Sequence, residues 1–183
     1  MTLVLIPMML ALLGQSAAPT VQQQRMQIPE VGTILYGISI PGDYDPHHPV
    51  PLVLVLHPGA RDGRPYYGAT FMTQIFAPAL RDLHAIIVAP DCPARNWTDA
   101  VAERSVMALL QRVLADYAID RHRVLVTGYS MGGQGTWFME AHHPDLFTAA
   151  IVIAGSTRDE PLDRLATIPT YVIHSRDDQV MPF

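Results

Sequence analysis

Val124-Leu-Val-Thr-Gly-Tyr-Ser130-Met-Gly-Gly133 places a glycine-flanked serine between two different elements, and the fold class is inferred from this segment outward. The apolar residues 124–126 predict a strand, and residues 131–142 predict a helix that ends before Pro144. A serine on a tight strand-to-helix turn is held in a strained backbone conformation, and small residues two positions before and after it avoid a clash. The stretch therefore predicts that the Ser130 hydroxyl stands above the end of a strand.

Short apolar runs without polar alternation surround this stretch, which is typical of strands covered on both faces in a parallel sheet. Such runs occur at residues 52–56, 85–89, 124–126, 149–153 and 171–173, and an earlier strand is predicted at 33–40. Apolar residues at helical spacing from Val106 to Tyr117 predict a helix on the sheet, capped by Thr98 or Asp99, with Asp120 beginning the turn into the next strand. The alternation predicts an α/β fold with a doubly wound, mostly parallel sheet and right-handed crossovers.

The composition indicates one compact domain. The chain has 183 residues, is 49% hydrophobic and has a net charge of −5, a composition typical of a compact protein rather than a disordered one. All 12 basic residues are scattered arginines with no run that could follow a phosphate backbone, so we expect no nucleic-acid partner. Cys92 is the only cysteine, so no internal disulfide can form, and we interpret it as a small apolar residue at a strand end rather than a catalytic thiol.

The N-terminus has the pattern of a signal peptide. Residues 3–13 are continuously apolar, too short to span a bilayer comfortably, and small residues follow. We therefore expect residues 1–18 to be a leader and residues 19–183 to be the domain, which predicts export to the periplasm or the medium and no stable membrane span. The run lacks a positive n-region, and a buried N-terminal helix is the alternative.

Two backbone amides are candidates for an oxyanion hole. Met131 begins the helix after Ser130, where its N–H and the helix dipole can stabilise a negative oxygen. The first buried strand ends in His57-Pro-Gly-Ala60, where an acyl-transfer enzyme of this topology keeps a second donor. Pro58 has no N–H, so Gly59 is preferred and Ala60 is the alternative. We interpret His57 as a residue that braces this loop rather than as the base.

A catalytic acid is expected on the loop after the strand at 171–173. The chain order in this topology is serine, acid, histidine, and Ser175-Arg-Asp177-Asp178 follows that strand. Asp178 fits best and Asp177 is the alternative, although a solvated turn aspartate is the simpler interpretation of either one taken alone. The histidine pairs at 47–48 and 142–143 lack the further ligands of a zinc site, so no metal and no cofactor are predicted.

The motifs together resemble the α/β-hydrolase superfamily. The resemblance runs from about Leu52 to Pro182 and is carried by Ile119-Asp-Arg-His-Arg-Val-Leu-Val-Thr-Gly-Tyr-Ser-Met-Gly-Gly133, Gly135-Thr-Trp137, His143-Pro-Asp145 and Phe147-Thr-Ala-Ala150. Within the superfamily the chain is most similar to secreted esterases related to polyhydroxybutyrate depolymerases and feruloyl esterases, and more distantly to dienelactone hydrolases. The resemblance implies a serine ester hydrolase with Ser130 as nucleophile and Asp178 as acid, acting on a small-molecule or polysaccharide-linked ester.

Two positions depart from the family pattern. Pro58 stands where the family usually has glycine. The family's histidine follows the acid, whereas none of the eight histidines here comes after Asp178. We therefore expect a chain truncated before the last strand, helix and histidine loop, which alone would be nearly inactive because a serine hydroxyl needs an adjacent base. The alternative is a binding or interaction module of the same fold without catalysis.

Overall fold

The computed structural model describes residues 20–59, 63–157, 160–165 and 167–181. The predicted leader, residues 1–18, lies outside the described residues. In the described part, seven strands form one sheet: β1 (Thr20–Ile28), β2 (Gly32–Ile40), β3 (Val50–Leu56), β4 (Ile86–Pro90), β5 (Ile119–Tyr129), β6 (Ala149–Ile153) and β7 (Thr170–Ile173). The order across the sheet is β1-β2-β4-β3-β5-β6-β7. β3 to β7 are parallel, and β1 and β2 are antiparallel to their neighbours, so the predicted mostly parallel α/β sheet is confirmed.

Helices cover both faces of this sheet. They are α1 (Tyr67–Phe71), α2 (Ala77–Ala79), α3 (Ala100–Asp116), α4 (Met131–His142) and α5 (Leu162–Leu165), with a π-helical turn (Met72–Phe76) joining α1 to α2. Successive strand residues point to opposite faces. Leu52, Leu54 and Leu56 of β3 pack with α3 and α4, whereas Val53 and Val55 pack with the α1–α2 segment. The sheet is therefore the middle of three layers.

The two helices predicted around the central strand are present. α4 has the predicted bounds, and α3 begins after Asp99, whose Oδ1 accepts a hydrogen bond from Val101 N at 2.8 Å. Thr98, the other candidate cap, instead donates its hydroxyl to Asn96 Oδ1 at 2.8 Å. Of the helices that the structure describes, none combines the length and the apolar character needed to cross a membrane.

Three features of the sheet differ from the prediction. β1 was not predicted, because its glutamines are exposed and it is held by antiparallel pairing with β2 from Thr20↔Ile40 to Ile28↔Gly32. β5 is longer than the predicted 124–126, and Asp120 lies inside it, where its carboxylate accepts from Arg123 Nε at 2.7 Å, rather than beginning a turn. Burial on both faces is wrong for β7, where Tyr171, Val172 and Ile173 are 68%, 42% and 48% exposed.

Candidate functional site

Ser130 forms the corner between β5 and α4. Its φ of 56° and ψ of −114° are values that residues with a side chain rarely adopt. Two backbone hydrogen bonds hold this corner: Ser130 N donates to Ile153 O at 2.9 Å, and Gln134 N donates to Ser130 O at 3.0 Å. The surrounding structure thus maintains a strained conformation, which is a common feature of functional sites. The serine is half-buried at the carboxyl edge of the sheet.

Gly128 and Gly132 allow α4 to begin directly against the end of β3. A Cβ on Gly132 would lie 2.6 Å from the carbonyl carbon of Leu56 and 2.9 Å from His57 O. A Cβ on Gly128 would overlap the Gly132 carbonyl and lie 2.8 Å from Leu56 O. At both glycines, the atoms that a methyl group would meet belong to the backbone of packed elements, so no side-chain movement can make room for it. The small residues predicted from the motif are sterically required.

Met131 is the first residue of α4, a helix of 12 residues. The N–H groups of a first helical turn have no intrahelical acceptor, and the helix end carries partial positive charge. An oxygen that becomes negative beside the Ser130 hydroxyl would therefore be stabilised by this end of the helix. The position is the one that the sequence predicts for the first oxyanion donor.

Gly59 lies on the loop that follows the neighbouring strand. Leu56 of β3 pairs with Gly128 of β5, so the chain leaves both strands at the same edge of the sheet. Gly59 is exposed, and a Cβ placed on it would meet nothing within 4 Å. The structure thus leaves open space around the preferred second donor. Ala60, the alternative donor, lies outside the described residues.

His57 braces this loop through both of its ring nitrogens. Nε2 accepts from Cys92 N at 3.0 Å, and Nδ1 lies 2.6 Å from Pro58 O, to which it donates. Its backbone carbonyl accepts from Trp97 Nε1 at 2.9 Å. Burial lowers the pKa of His57, which favours the neutral ring. Because Nε2 accepts from Cys92 N, the proton of the neutral ring lies on Nδ1. With both nitrogens engaged, His57 has the structural position expected from its place before the nucleophile.

Cys92 and Asp91, which follow β4, also support this region. Burial raises the pKa of the Cys92 thiol to about 11, so it remains protonated at neutral pH and is a poor nucleophile. The Asp91 carboxylate accepts from Tyr66 N at 2.6 Å and Gly68 N at 2.8 Å and so fixes the start of α1. Sequence analysis missed Asp91, although its place directly after a predicted buried strand was a usable signal.

Asp178 is held on the loop after β7. Its Oδ1 accepts from Met181 N at 2.8 Å and Val180 N at 2.9 Å, and these bonds hold its pKa below the usual range. Its Oδ2 lies 3.8 Å from Nε2 of His174, a nitrogen that is only 2.6 Å from Met181 O. The side chain of Asp177 is exposed, by contrast, and its backbone N–H donates to Ser175 Oγ. The geometry favours Asp178 over Asp177 as an oriented carboxylate.

Gln134 connects the acid loop to the helix that follows the serine. It lies one turn after Ser130 on α4 and is only 6% exposed. Its Nε2 lies 3.2 Å from Met181 Sδ and 3.4 Å from Ser156 Oγ. The loop that carries Asp178 therefore packs against the first turn of α4. Sequence analysis missed Gln134; its spacing of four residues from the serine was the available signal.

The described histidines do not join Asp178 to Ser130. His174 is buried at the end of the acid's own strand and donates toward Met181 O. His142 pairs with Glu160 at 3.2 Å, and His143 pairs with Glu103 at 2.9 Å. Within residues 20–59, 63–157, 160–165 and 167–181, no group of three or more histidine, cysteine or acidic side chains is arranged to hold a metal ion.

A parallel-dominated sheet with a strained serine at the strand-to-helix corner defines the chain as an α/β-hydrolase in fold. The sequence comparisons agree: the model of the prolyl oligopeptidase family matches residues 95–182. The chain is 26% identical to a probable feruloyl esterase C from Aspergillus clavatus over 162 residues, and 28% identical to feruloyl esterase C from Emericella nidulans over 155 residues. These matches cover 81% and 80% of this chain, which spans about half the length of the relatives, 56% of each.

Solved structures show the same relationship. A thermostable esterase is 30% identical, with a TM-score of 0.76, and the match covers 88% of this chain and 48% of that one. The fold is also shared with a ferulic acid esterase from Anaeromyces mucronatus, solved with ferulic acid, at 14% identity and a TM-score of 0.68, covering 90% of this chain and 75% of that one. The resemblance expected from the sequence, to esterases of the α/β-hydrolase superfamily, is confirmed.

Proposed function

We propose that this chain forms the larger part of a serine carboxylic-ester hydrolase that works by acyl transfer. The observation that supports the proposal best is the corner at Ser130, which combines positive φ, two steric glycines and an adjacent helix N-terminus. This arrangement has the features expected of a nucleophile elbow in an acyl-transfer enzyme, which supports the proposal. The similarity to feruloyl esterases and to a thermostable esterase supports ester substrates as the class.

In the proposed reaction, Ser130 Oγ attacks the ester carbonyl while a histidine base takes its proton. The carbonyl oxygen becomes negative in the tetrahedral intermediate, and the N–H groups of Met131 and Gly59 stabilise it. The intermediate collapses to an acyl-serine as the histidine gives the proton to the leaving alcohol. Water then repeats the sequence to release the acid. No metal or organic cofactor takes part in these steps.

Asp178 is proposed to orient the histidine. Its Oδ1 accepts from the Val180 and Met181 N–H groups. In the proposed triad, its Oδ2 accepts a hydrogen bond from the Nδ1–H of the histidine base. The chain spans about half the length of its relatives, so the proposal concerns the whole protein. The proposed base is a histidine other than His57 and His174, because Nε2 of His57 accepts from Cys92 N and Nε2 of His174 lies against Met181 O. We further propose that the protein is exported, on the basis of the leader pattern in residues 1–18.

A non-catalytic module of the same fold is the second candidate. It is favoured by the engagement of His57 Nε2 with Cys92 N and of His174 Nε2 with Met181 O, which leaves the described serine without a base. The two candidates differ in whether the Ser130 hydroxyl is activated. Both predict a folded protein with an intact corner at residue 130.

Labelling with a fluorophosphonate probe tests the proposal, because such probes react with activated serine hydroxyls. We expect one label on the purified whole protein that includes the histidine base, no label on its Ser130→Ala variant, and labelling slowed by on the order of 10³-fold in its Asp178→Asn variant. Asp177→Asn is the matched control and should label as the wild type does. An unlabelled wild type would contradict the esterase proposal and favour the binding module. A panel of nitrophenyl, feruloyl and acetyl-sugar esters then defines the acyl group.

A further inference from the structure

Gln134 on α4 carries a buried amide that none of the proposed reaction steps uses. The residue is only 6% exposed. An amide nitrogen has two hydrogens to donate, and Nε2 of Gln134 has two acceptors within reach. These are Met181 Sδ at 3.2 Å and Ser156 Oγ at 3.4 Å. Ser156 follows β6 and Met181 follows β7, so one side chain of α4 contacts the loops that leave both strands.

Met181 is also the residue that orders the Asp178 carboxylate. Its backbone N–H donates to Asp178 Oδ1 at 2.8 Å, and its carbonyl accepts from His174 Nε2 at 2.6 Å. Its thioether sulfur is the acceptor that faces Gln134. The backbone of Met181 therefore fixes the carboxylate, while its side chain is bound from α4.

Gln134 itself has a fixed position relative to the nucleophile. Its backbone N–H donates to Ser130 O at 3.0 Å, so both residues belong to the first turn of α4. This turn packs closely on the loop after β6, where a Cβ on Gly155 would lie 2.6 Å from Gly133 Cα. A short series of hydrogen bonds therefore leads from the nucleophile to the loop that carries the acid.

The acid loop, residues 174–181, is ordered from within by several hydrogen bonds. They join Asp178 to Val180 and Met181, His174 to Met181, and Asp177 to Ser175. Internal bonds determine the shape of a loop but not its distance from another element. The contact from Gln134 constrains that distance, because it joins the loop to the turn that begins at Ser130. Catalysis is sensitive to such distances, since a displacement of about 1 Å can lower a rate by about 10²-fold.

We propose that Gln134 is a positioning residue, which holds the acid loop at its distance from Ser130 by donating to the thioether of Met181. The inference rests on the proposed ester hydrolysis, because that reaction gives Asp178 its role. Gln134 acts through Met181 and touches no reacting atom. Acylation and deacylation both use the histidine that Asp178 orients, so loss of Gln134 should slow both steps and lower kcat with little change in KM.

Steady-state hydrolysis of p-nitrophenyl acetate by the whole protein, including the histidine base, tests the inference. Gln134→Leu removes the donor and Met181→Leu removes the acceptor, each with little change in volume. We expect kcat to fall by about 3- to 10-fold in each variant, as for one lost hydrogen bond, with KM within about 2-fold of wild type. The double variant should be no slower than the slower single variant, because the two residues share one contact. Gln111→Leu, the same change at an exposed glutamine of α3, is the control and should leave kcat and KM unchanged.

The pH profile separates a positioning role from a loss of folded protein. The acidic limb of kcat/KM reports the pKa of the base in the free enzyme. A carboxylate beside a histidine favours the charged ring and raises its pKa, and a displaced Asp178 raises it less. The acidic limb should therefore move to lower pH, by up to about 1 pH unit, in Gln134→Leu and Met181→Leu. A smaller folded fraction, which circular dichroism melts measure, would lower the whole profile without moving the limb.

Three results would overturn the positioning role. They are a Gln134→Leu variant as fast as Gln111→Leu, losses of the two single variants that multiply in the double variant, and a lowered kcat without movement of the acidic limb. In each case the esterase proposal stands, because the wild type hydrolyses the ester and is labelled at Ser130. A whole protein that neither hydrolyses the ester nor reacts with a fluorophosphonate is a different failure, which removes the proposed function and the positioning role with it.

Discussion

Gly132 is the residue at which the candidate site tolerates least change. Replacing it with alanine places a methyl group against the Leu56 and His57 carbonyls, at distances that packed backbones do not allow. We expect Gly132→Ala to lower the free energy of unfolding by about 1–3 kcal/mol, the usual cost of overpacking. Urea denaturation measures this loss. Gly59→Ala, which meets no atom within 4 Å, is the control and should stay within about 0.5 kcal/mol of wild type.

Protonation of the His57 ring should make the free energy of unfolding depend on pH. Burial lowers its pKa in the folded protein, so the unfolded chain takes up the proton first as pH falls. The stabilisation is complete above the unfolded pKa of about 6.5 and is lost as pH falls toward the folded value. We expect the urea midpoint to fall more steeply between pH 7.5 and pH 5 in wild type than in His57→Gln. The Gln amide oxygen can still accept from Cys92 N. Equal slopes would contradict this account.

The residues of the site differ in how readily the sequence predicts them. Ser130, Gly128 and Gly132 follow from a motif because the steric requirement acts within five residues. The bonds from His57 to Cys92 N and from Gln134 to Met181 span 35 and 47 residues, and no local pattern encodes such a contact. Asp178 was predicted from chain order, whereas its two backbone donors required the structure. Hydrogen bonds between residues far apart in the sequence are the contacts of the candidate site that could not be predicted from the sequence.

Helix α4 is the element that joins the nucleophile corner to β7. Near its end, the Glu140 side chain is fully buried, and its Oε1 accepts from Thr170 Oγ1 of β7 at 2.8 Å. The other oxygen, Oε2, has no hydrogen-bond partner. Burial raises the pKa of this carboxyl, because its charged form lacks solvation. The contact between α4 and β7 is therefore most favourable when Glu140 is protonated.

The stability of this contact should fall as pH rises. An acid with a raised folded pKa contributes stability that is complete below its unfolded pKa of about 4.3 and is lost as pH rises through the folded value. We expect wild type to lose more stability between pH 4 and pH 8 than Glu140→Gln, which keeps the acceptor for Thr170. Urea midpoints across this range test the difference in slope. Asp163→Asn, an exposed change on α5, should follow wild type; a Glu140→Gln slope equal to that of wild type would contradict the assignment.

The elements were predicted best where hydrophobic periodicity and caps agree. α4 runs from Met131 to His142, as expected approximately from the sequence, and α3 begins after one of its two candidate caps. β1 carries the sequence TVQQQRMQI, which has exposed polar residues on most positions, so its strand character comes from pairing with β2 rather than from burial. The π-helical turn at Met72–Phe76 likewise has no signature in the local sequence.

The seven-stranded sheet has its least protected apolar edge at β7. The parallel sheet was predicted correctly from the alternation of apolar runs and helices. The burial of every parallel strand was not, because the burial of a strand depends on how many elements pack on each face of the sheet. Ile173 and Val172 remain about half exposed on a strand whose partner in the described sheet is β6. Apolar side chains on a strand edge favour pairing between molecules.

Association of the 183-residue chain should therefore depend on β7 and not on apolar exposure in general. Ile173 of β7 and Ile75 of the π-helical turn are both 48% exposed, so they form a matched pair. We expect concentration-dependent association by light scattering in wild type, a marked reduction in Ile173→Lys, and little change in Ile75→Lys. A charge placed on a strand edge disfavours pairing between strands, whereas the same charge on a helical turn has no strand to protect. If both lysine variants reduce association equally, net charge rather than the β7 edge controls it.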